Sequence, residues 1–162
     1  MSLHIRPAVR SDASQILTFI LELARYEKAE HQVVATVPDI EQSLFASDSP
    51  AQALICEVEG QPIGFAVYYF AYSTWLGRKS LYLEDLYVSP EHRGLGAGKA
   101  LLAYLARVAC ESGCRRMEWM VMEWNEPALA FYRRLGAGPL EDLVRYRLAD
   151  DALQALAETR PA

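Results

Sequence analysis

The chain has 162 residues, 16 Lys and Arg against 21 Asp and Glu, and a formal charge of -5. Its apolar fraction of 52% excludes intrinsic disorder, and its length suits one compact domain over 1–162 that buries roughly two-thirds of its unfolded surface without metals or disulfides. Net acidity argues against a nucleic-acid backbone as partner and mildly favours a cationic one.

A short strand is expected over 3–8, followed by helix caps at Ser11 or Asp12, with Gln15 three residues after Asp12. Ile16, Phe19, Ile20, Leu23 and Ala24 recur at helical spacing and form one apolar stripe on a helix ending near Glu27. A shorter helix starts after Thr36, with Pro38 in its first turn and Ile40, Leu44 and Phe45 facing inward. Residues 53–58 and 62–72 are β-rich runs joined at Glu59-Gly60-Gln61, where Gly60 supplies the positive φ of a tight hairpin. Residues 81–88 form another run, apolar except for Glu84 and Asp85. A helix over 98–112, a strand over 116–122, a helix over 127–135, a last strand over 143–148 and an amphipathic tail helix complete the chain. Hairpins in the first half and crossovers in the second imply an α/β (α+β mixed) fold: a central mixed, mostly antiparallel twisted sheet with helices on both faces.

No apolar run approaches the roughly 20 residues that span a bilayer, and no leader-like segment opens the chain, so a cytoplasmic protein with no membrane partner is expected. Cys56, Cys110 and Cys114 match no zinc spacing, and His4, His31 and His92 are scattered; reduced thiols and no metal are expected.

The most informative stretch is 87–99, a strand running through Arg93-Gly94-Leu95-Gly96-Ala97-Gly98-Lys99 into a helix. Glycines let backbone approach a phosphate, free N–H groups of the first helical turn point at it, and the helix dipole favours negative charge there. A dinucleotide G-x-G-x-x-G from Gly94 would need glycine where Lys99 stands. A G-x-x-x-x-G-K-[S/T] loop would need glycine at Arg93 and Ser or Thr at Ala100. Between Glu91 and Arg116 five basic residues stand against two acidic ones, so this segment is locally positive in an acidic chain.

Arg93, Gly96 and Gly98, in the order R-x-x-G-x-G after a strand, resemble the acetyl-CoA pyrophosphate loop of the GNAT superfamily of N-acetyltransferases. A second block, Asn125-Glu126-Pro127-Ala128-Leu129-Ala130-Phe131-Tyr132 followed by Leu135-Gly136-Ala137, is similar to that family's other cofactor-proximal helix. Glu22 to Glu27, Tyr68-Tyr69-Phe70 with Trp75, Leu81 to Asp85 and Glu123 to Pro127 resemble the diamine (spermidine/spermine) and thialysine acetyltransferase group. Two features depart from the diamine pattern. Ser73 stands where those enzymes carry an aspartate, as in thialysine-type members, and the acidic segment after the catalytic helix is reduced to Glu141 and Asp142. Both favour a smaller, amino-acid-like amine.

The resemblance implies acetyl-CoA as co-substrate, a primary amine of a small molecule as acceptor, direct transfer without an acyl-enzyme, and a homodimer. Cofactor contacts then fall on Leu86, Tyr87 and Val88, on 93–99 (Arg93, Gly94, Leu95, Gly96, Ala97, Gly98, Lys99) and on Asn125, Glu126, Pro127, Ala128 and Tyr132. Acceptor contacts fall on Tyr26, Glu27, Trp75, Glu84, Asp85, Glu118, Trp119 and Met120, with Trp124 a further aromatic for cation–π contact. Glu84 is the candidate base, expected to be buried mid-strand with its pKa raised, acting directly or through a water. Tyr132 is the candidate acid for the departing thiolate. Two other functions share these features: an acetyl-CoA-binding regulatory module without turnover, and an acetyltransferase for protein lysines or N-termini.

Overall fold

The computed structural model describes residues 2–160. Its elements run β1 (Leu3–Pro7), α1 (Ala13–Tyr26), α2 (Val37–Leu44), β2 (Ala51–Val58), β3 (Gln61–Ser73), β4 (Arg78–Val88), α3 (Ala97–Glu111), β5 (Met117–Trp119), α4 (Glu126–Arg134) and α5 (Asp150–Ala157). They fall into two compact units, one up to Met122 and one from Glu123 onward.

The first unit is a five-stranded sheet in the order β1-β2-β3-β4-β5. Every neighbouring pair is antiparallel except β4 and β5, which are parallel and joined through α3 as such a pair requires. The β2–β3 hairpin closes on two residues, with Glu59 (φ 51) and Gly60 (φ 78) both left-handed, the backbone of a type I′ turn. Strand alternation sends Ala53, Ile55, Phe65 and Tyr87 to one face, where they pack with Ala13, Ile16 and Phe19 of α1 and Ile40 of α2. Phe19 stacks on Phe65 at 5.6 Å and tilts against Tyr87 at 5.9 Å. Leu54, Cys56, Ala66 and Tyr68 have the opposite parity and are buried, as are Leu101, Leu102, Leu105 and Ala109 of α3, which packs across β1 to β4. Each of the leucines among them contributes about 1.5–3 kcal/mol on burial.

Two local signals resolve differently. Thr36 caps α2 as expected, its hydroxyl accepting from Asp39 N–H while the Asp39 carboxylate accepts from Thr36 N–H. The Asp12 carboxylate does not cap α1. It accepts from Arg6 at 2.7 Å and from Val9 N–H at 2.8 Å, and Arg6 holds it below the usual carboxylate range.

In the second unit Asn125 Oδ1 caps α4 by accepting from Ala128 N–H at 3.3 Å. The strand expected over 143–148 does not form. Leu143, Val144 and Tyr146 are exposed by 70%, 80% and 91%, and an alternating pattern becomes a strand only where a neighbouring strand accepts its hydrogen bonds. The strand expected over 116–122 is likewise confined to Met117–Trp119. No helix among the described residues is long and apolar enough to cross a membrane.

Candidate functional site

Three features of the first unit converge at the end of β4. First, the β3–β4 register slips: Val67 pairs with Asp85 and Tyr68 with Leu83, so Glu84 is the extra residue of a β-bulge. Second, β5 pairs only with Leu81, Tyr82 and Leu83, so among the described residues no strand lies beside the opposite edge of β4 from Glu84 to Val88. Third, Ser89 N–H donates to Ile63 O at 2.9 Å. Antiparallel alternation from that bond turns the backbone of Asp85 and Tyr87 toward β3 and that of Leu86 and Val88 toward the open edge. An extended arm has backbone partners waiting there, in the manner of an added strand.

The bulge also decides which carboxyl is buried. Leu81 and Leu83 pair with Phe70 and Tyr68 on the α3 side, whereas Asp85 and Tyr87 pair with Val67 and Phe65 on the α1 side, so the extra residue switches the face to which odd-numbered residues point. Glu84 is therefore exposed, not buried as expected from its apolar run; Asp85 is the partly buried carboxyl. Burial, then the nearby Glu84 and Glu27 carboxylates, push Asp85 up to about 6. Burial also pushes Glu27, just past the end of α1, above the ordinary glutamate value.

Beyond β4 the chain makes a turn at Pro90–His92 and enters the glycine loop. Gly94 (φ 85) and Gly96 (φ 84) occupy left-handed backbone, and Gly96 is the N-cap of α3 with no side chain capping the helix. Nothing lies within 4 Å of the position a Cβ would take at either, so a ligand has a clear approach to the backbone. Gly98 sits inside the first turn of α3 and Lys99 beside it is exposed. Backbone donors at a glycine-entered helix start suit a phosphate group. Arg93 ties the loop back: its Nε donates to Val88 O at 3.2 Å and its guanidinium lies 5.4 Å over the Tyr26 ring.

Glu22, Arg25, Tyr26, Tyr87, Pro90, Glu91 and Arg93 line a cleft of about 380 Å³ between α1 and the start of this loop. The Tyr87 hydroxyl donates to the Glu22 carboxylate; burial and that bond push it up to about 12.

The other expected residues are distributed more widely. Trp75 sits in the turn joining β3 to β4, 95% exposed, and six residue steps along β4, about 20 Å, separate Arg78 from Glu84. Glu118 and Trp119 pair with Tyr82 and Leu83, one step before the bulge, and Met120 follows, exposed. Asn125, Glu126, Pro127, Ala128 and Tyr132 form the cap and body of α4, where the Tyr132 ring lies 5.3 Å from Phe131; Trp124, just before the cap, is exposed. No cluster of three or more metal-ligating side chains exists among the described residues.

One functional position escapes a reading of charged and aromatic residues. A Cβ on Gly64 would sit 2.5 Å from Tyr87 O and 3.2 Å from Val88 Cα, so only glycine lets β3 hold the end of β4 this closely. An isolated glycine inside a strand is the available signal for such an approach.

An open strand edge thus runs into an uncapped, glycine-entered helix, with carboxyls grouped at the edge's bulge. The chain belongs to the acetyltransferase (GNAT) family, whose model matches residues 14–137. It is 37% identical over 167 residues to the thialysine N-epsilon-acetyltransferase of Sus scrofa, covering 96% of this chain and 98% of that one. It is 36% identical over 141 residues to the Homo sapiens spermidine/spermine N(1)-acetyltransferase-like protein 1, covering 83% of this chain and 20% of that protein. Among solved structures, an integron cassette protein from the mobile metagenome of V. cholerae superposes with a TM-score of 0.82 at 26% identity, covering 98% of this chain and 99% of that one. The chain is thus an N-acetyltransferase, and its family uses acetyl-CoA as co-substrate.

Proposed function

We propose that the protein, acting as a single acetyltransferase domain over 1–162, transfers acetyl directly to the primary amine of a small molecule, a thialysine-like amino acid or a diamine. The observation that carries this is the bulge, which gathers Glu84, Asp85 and Glu27 beside the unpaired edge of β4. When bound, acetyl-CoA would be held by the 93–99 loop and by Leu86 to Val88 and would supply the thioester acetyl group. An alkylammonium of pKa about 10.4 is mostly protonated at pH 7, a deficit of about 4.6 kcal/mol. Asp85 and Glu27 attract that cation, and Glu84, exposed at the bulge, takes its proton directly or through a water. The neutral amine nitrogen forms its bond to the acetyl carbon as the carbon–sulfur bond breaks; Tyr132 gives the thiolate a proton, and the second proton on nitrogen is lost to water, from which Tyr132 is reprotonated.

Acetyl-CoA consumption measured against thialysine, lysine, ornithine, spermidine, spermine and short diamines tests this reading. Turnover of a free amine is expected; turnover of peptide amines alone would move the acceptor to proteins. We also assign a homodimer, supported by the exposed apolar run Leu143, Val144, Tyr146 and Leu148, and a cytoplasmic setting, supported by three free cysteines. Sedimentation equilibrium should return about twice the chain mass.

Asp85 gives a pH test. Its raised pKa means that ionisation opposes folding. This cost is absent below about pH 4, grows between pH 4 and 6, and reaches as much as about 3 kcal/mol at pH 7. Asp85→Asn is therefore expected to raise the melting temperature at pH 7.5 and leave it unchanged at pH 4. The same variant should raise KM for the amine, and lowering the pH through 6 should do the same in the wild type. A lower melting temperature at pH 7.5 would show that the carboxylate stabilises the fold.

A further inference from the structure

We propose that Glu22 is a positioning residue for acetyl-CoA: from α1 it fixes the end of β4 through the Tyr87 hydroxyl, so that the open edge at Leu86 to Val88 is set before the cofactor arrives. The proposal rests on the reading of that edge as the place of acetyl-CoA. Phe19, Glu22 and Tyr26 recur at i, i+3 and i+7 and so share one face of α1. Each reaches the end of β4 or the loop after it. The Phe19 ring lies 5.9 Å from the Tyr87 ring, the Glu22 carboxylate accepts the Tyr87 hydroxyl, and the Tyr26 ring lies 5.4 Å under the Arg93 guanidinium. Arg93 in turn holds Val88 O through Nε at 3.2 Å. This helix face therefore grips two consecutive residues, Tyr87 by its side chain and Val88 by its carbonyl.

Packing alone does not call for the hydroxyl bond. Tyr87 is 6% exposed and its ring belongs to the apolar cluster under α1, a place that phenylalanine would fill as well. A buried hydroxyl costs free energy unless it is paired, and a carboxylate is the stronger kind of acceptor for it. Arg25 donates to Glu30 from both Nε and Nη2, so that fork is already engaged and the Glu22 carboxylate is left to Tyr87. Apolar contact with Phe19 is non-directional and lets the ring slide along α1. The bond to Glu22 decides where along the helix it stops, and with it the height of the backbone from Leu86 to Val88. From the other side β3 meets the same segment at Gly64. An edge held in its binding geometry spares the ligand the cost of ordering it.

The test titrates CoA calorimetrically onto Glu22→Ala, Tyr87→Phe, the double variant and Glu22→Gln, with KM for acetyl-CoA and kcat measured beside it. Each of the first two is expected to weaken CoA and raise KM for acetyl-CoA by about tenfold. At saturating acetyl-CoA kcat should stay within about twofold of the wild type, because the filled edge returns to the same geometry. The double variant should bind no more weakly than either single one, since both remove the same bond. Glu22→Gln, whose amide oxygen still accepts the hydroxyl, should recover most of the affinity. Thr36→Ala gives the comparison: it removes the cap of α2, lowers the melting temperature and should leave CoA affinity unchanged. Unchanged affinity in Glu22→Ala or Tyr87→Phe, additive losses in the double variant, no recovery in Glu22→Gln, or an equal loss in Thr36→Ala would overturn the proposal. CoA titration needs no amine, so the two levels fail separately. Variants that weaken CoA in a protein that acetylates no free amine would keep the positioning role and remove the amine acceptor; a wild type that binds no CoA would remove both.

Discussion

Glu84→Gln is expected to lower kcat by about 10²–10⁴, the range in which a positioned base acts, and to leave acetyl-CoA binding unchanged. Glutamine preserves the size and hydrogen-bonding reach of the side chain, so the bulge that exposes residue 84 persists and only proton acceptance is lost. Because the missing step is removal of the amine's proton, the defect should shrink as pH rises toward the amine's own pKa. Tyr132→Phe should lower kcat without that recovery, since the thiolate still lacks its donor. Asp85→Asn separates the neighbouring carboxyl: its effect falls mainly on KM for the amine. Rates measured by thiol release from pH 6 to 10 distinguish these three patterns. Wild-type rates in both Glu84→Gln and Tyr132→Phe would remove the assigned proton transfers.

Those assignments depend on a detail that residue patterns do not carry. Strands β1 to β4, the β2–β3 hairpin, α1 to α4 and the tail helix α5 follow from periodicity, caps and turn residues, each of which is local in the chain. The bulge at Glu84 is a property of two strands counted against each other, and an alternation rule applied to 81–88 alone puts Asp85 on the same face as Leu83. The expectation of a buried Glu84 fails for this reason, and Asp85 takes that environment. Residues 143–148 fail in the complementary way. Their alternation is real, but a strand needs a neighbour, and the pattern of one segment says nothing about whether a neighbour is present. The backbone of the glycine loop was legible because positive φ at Gly94 and Gly96 and an uncapped helix start are backbone features that residue type reports directly.

Gly64→Ala is expected to damage the site from the far side of the strand. The added Cβ would stand 2.5 Å from Tyr87 O, closer than real contacts allow, and the obstacle is backbone, so β3 and the end of β4 must separate. Overpacking of this kind costs about 1–3 kcal/mol, which in a chain of this size lowers the melting temperature by about 5 °C. The displaced segment is the one that turns Leu86 and Val88 toward the open edge and anchors Arg93 through Val88 O. KM for acetyl-CoA should therefore rise by about tenfold, an effect that general destabilisation does not produce. Gly60→Ala supplies the comparison. Gly60 has φ 78 but nothing within 4 Å of its Cβ position, so alanine there costs backbone strain of about 1 kcal/mol without pressing on any atom of β4. A melting temperature lowered in both variants, with acetyl-CoA affinity lost only in Gly64→Ala, identifies the close approach of β3 as what holds the cofactor edge in place. Unchanged acetyl-CoA affinity in Gly64→Ala would instead mean that the end of β4 can move without disturbing that edge.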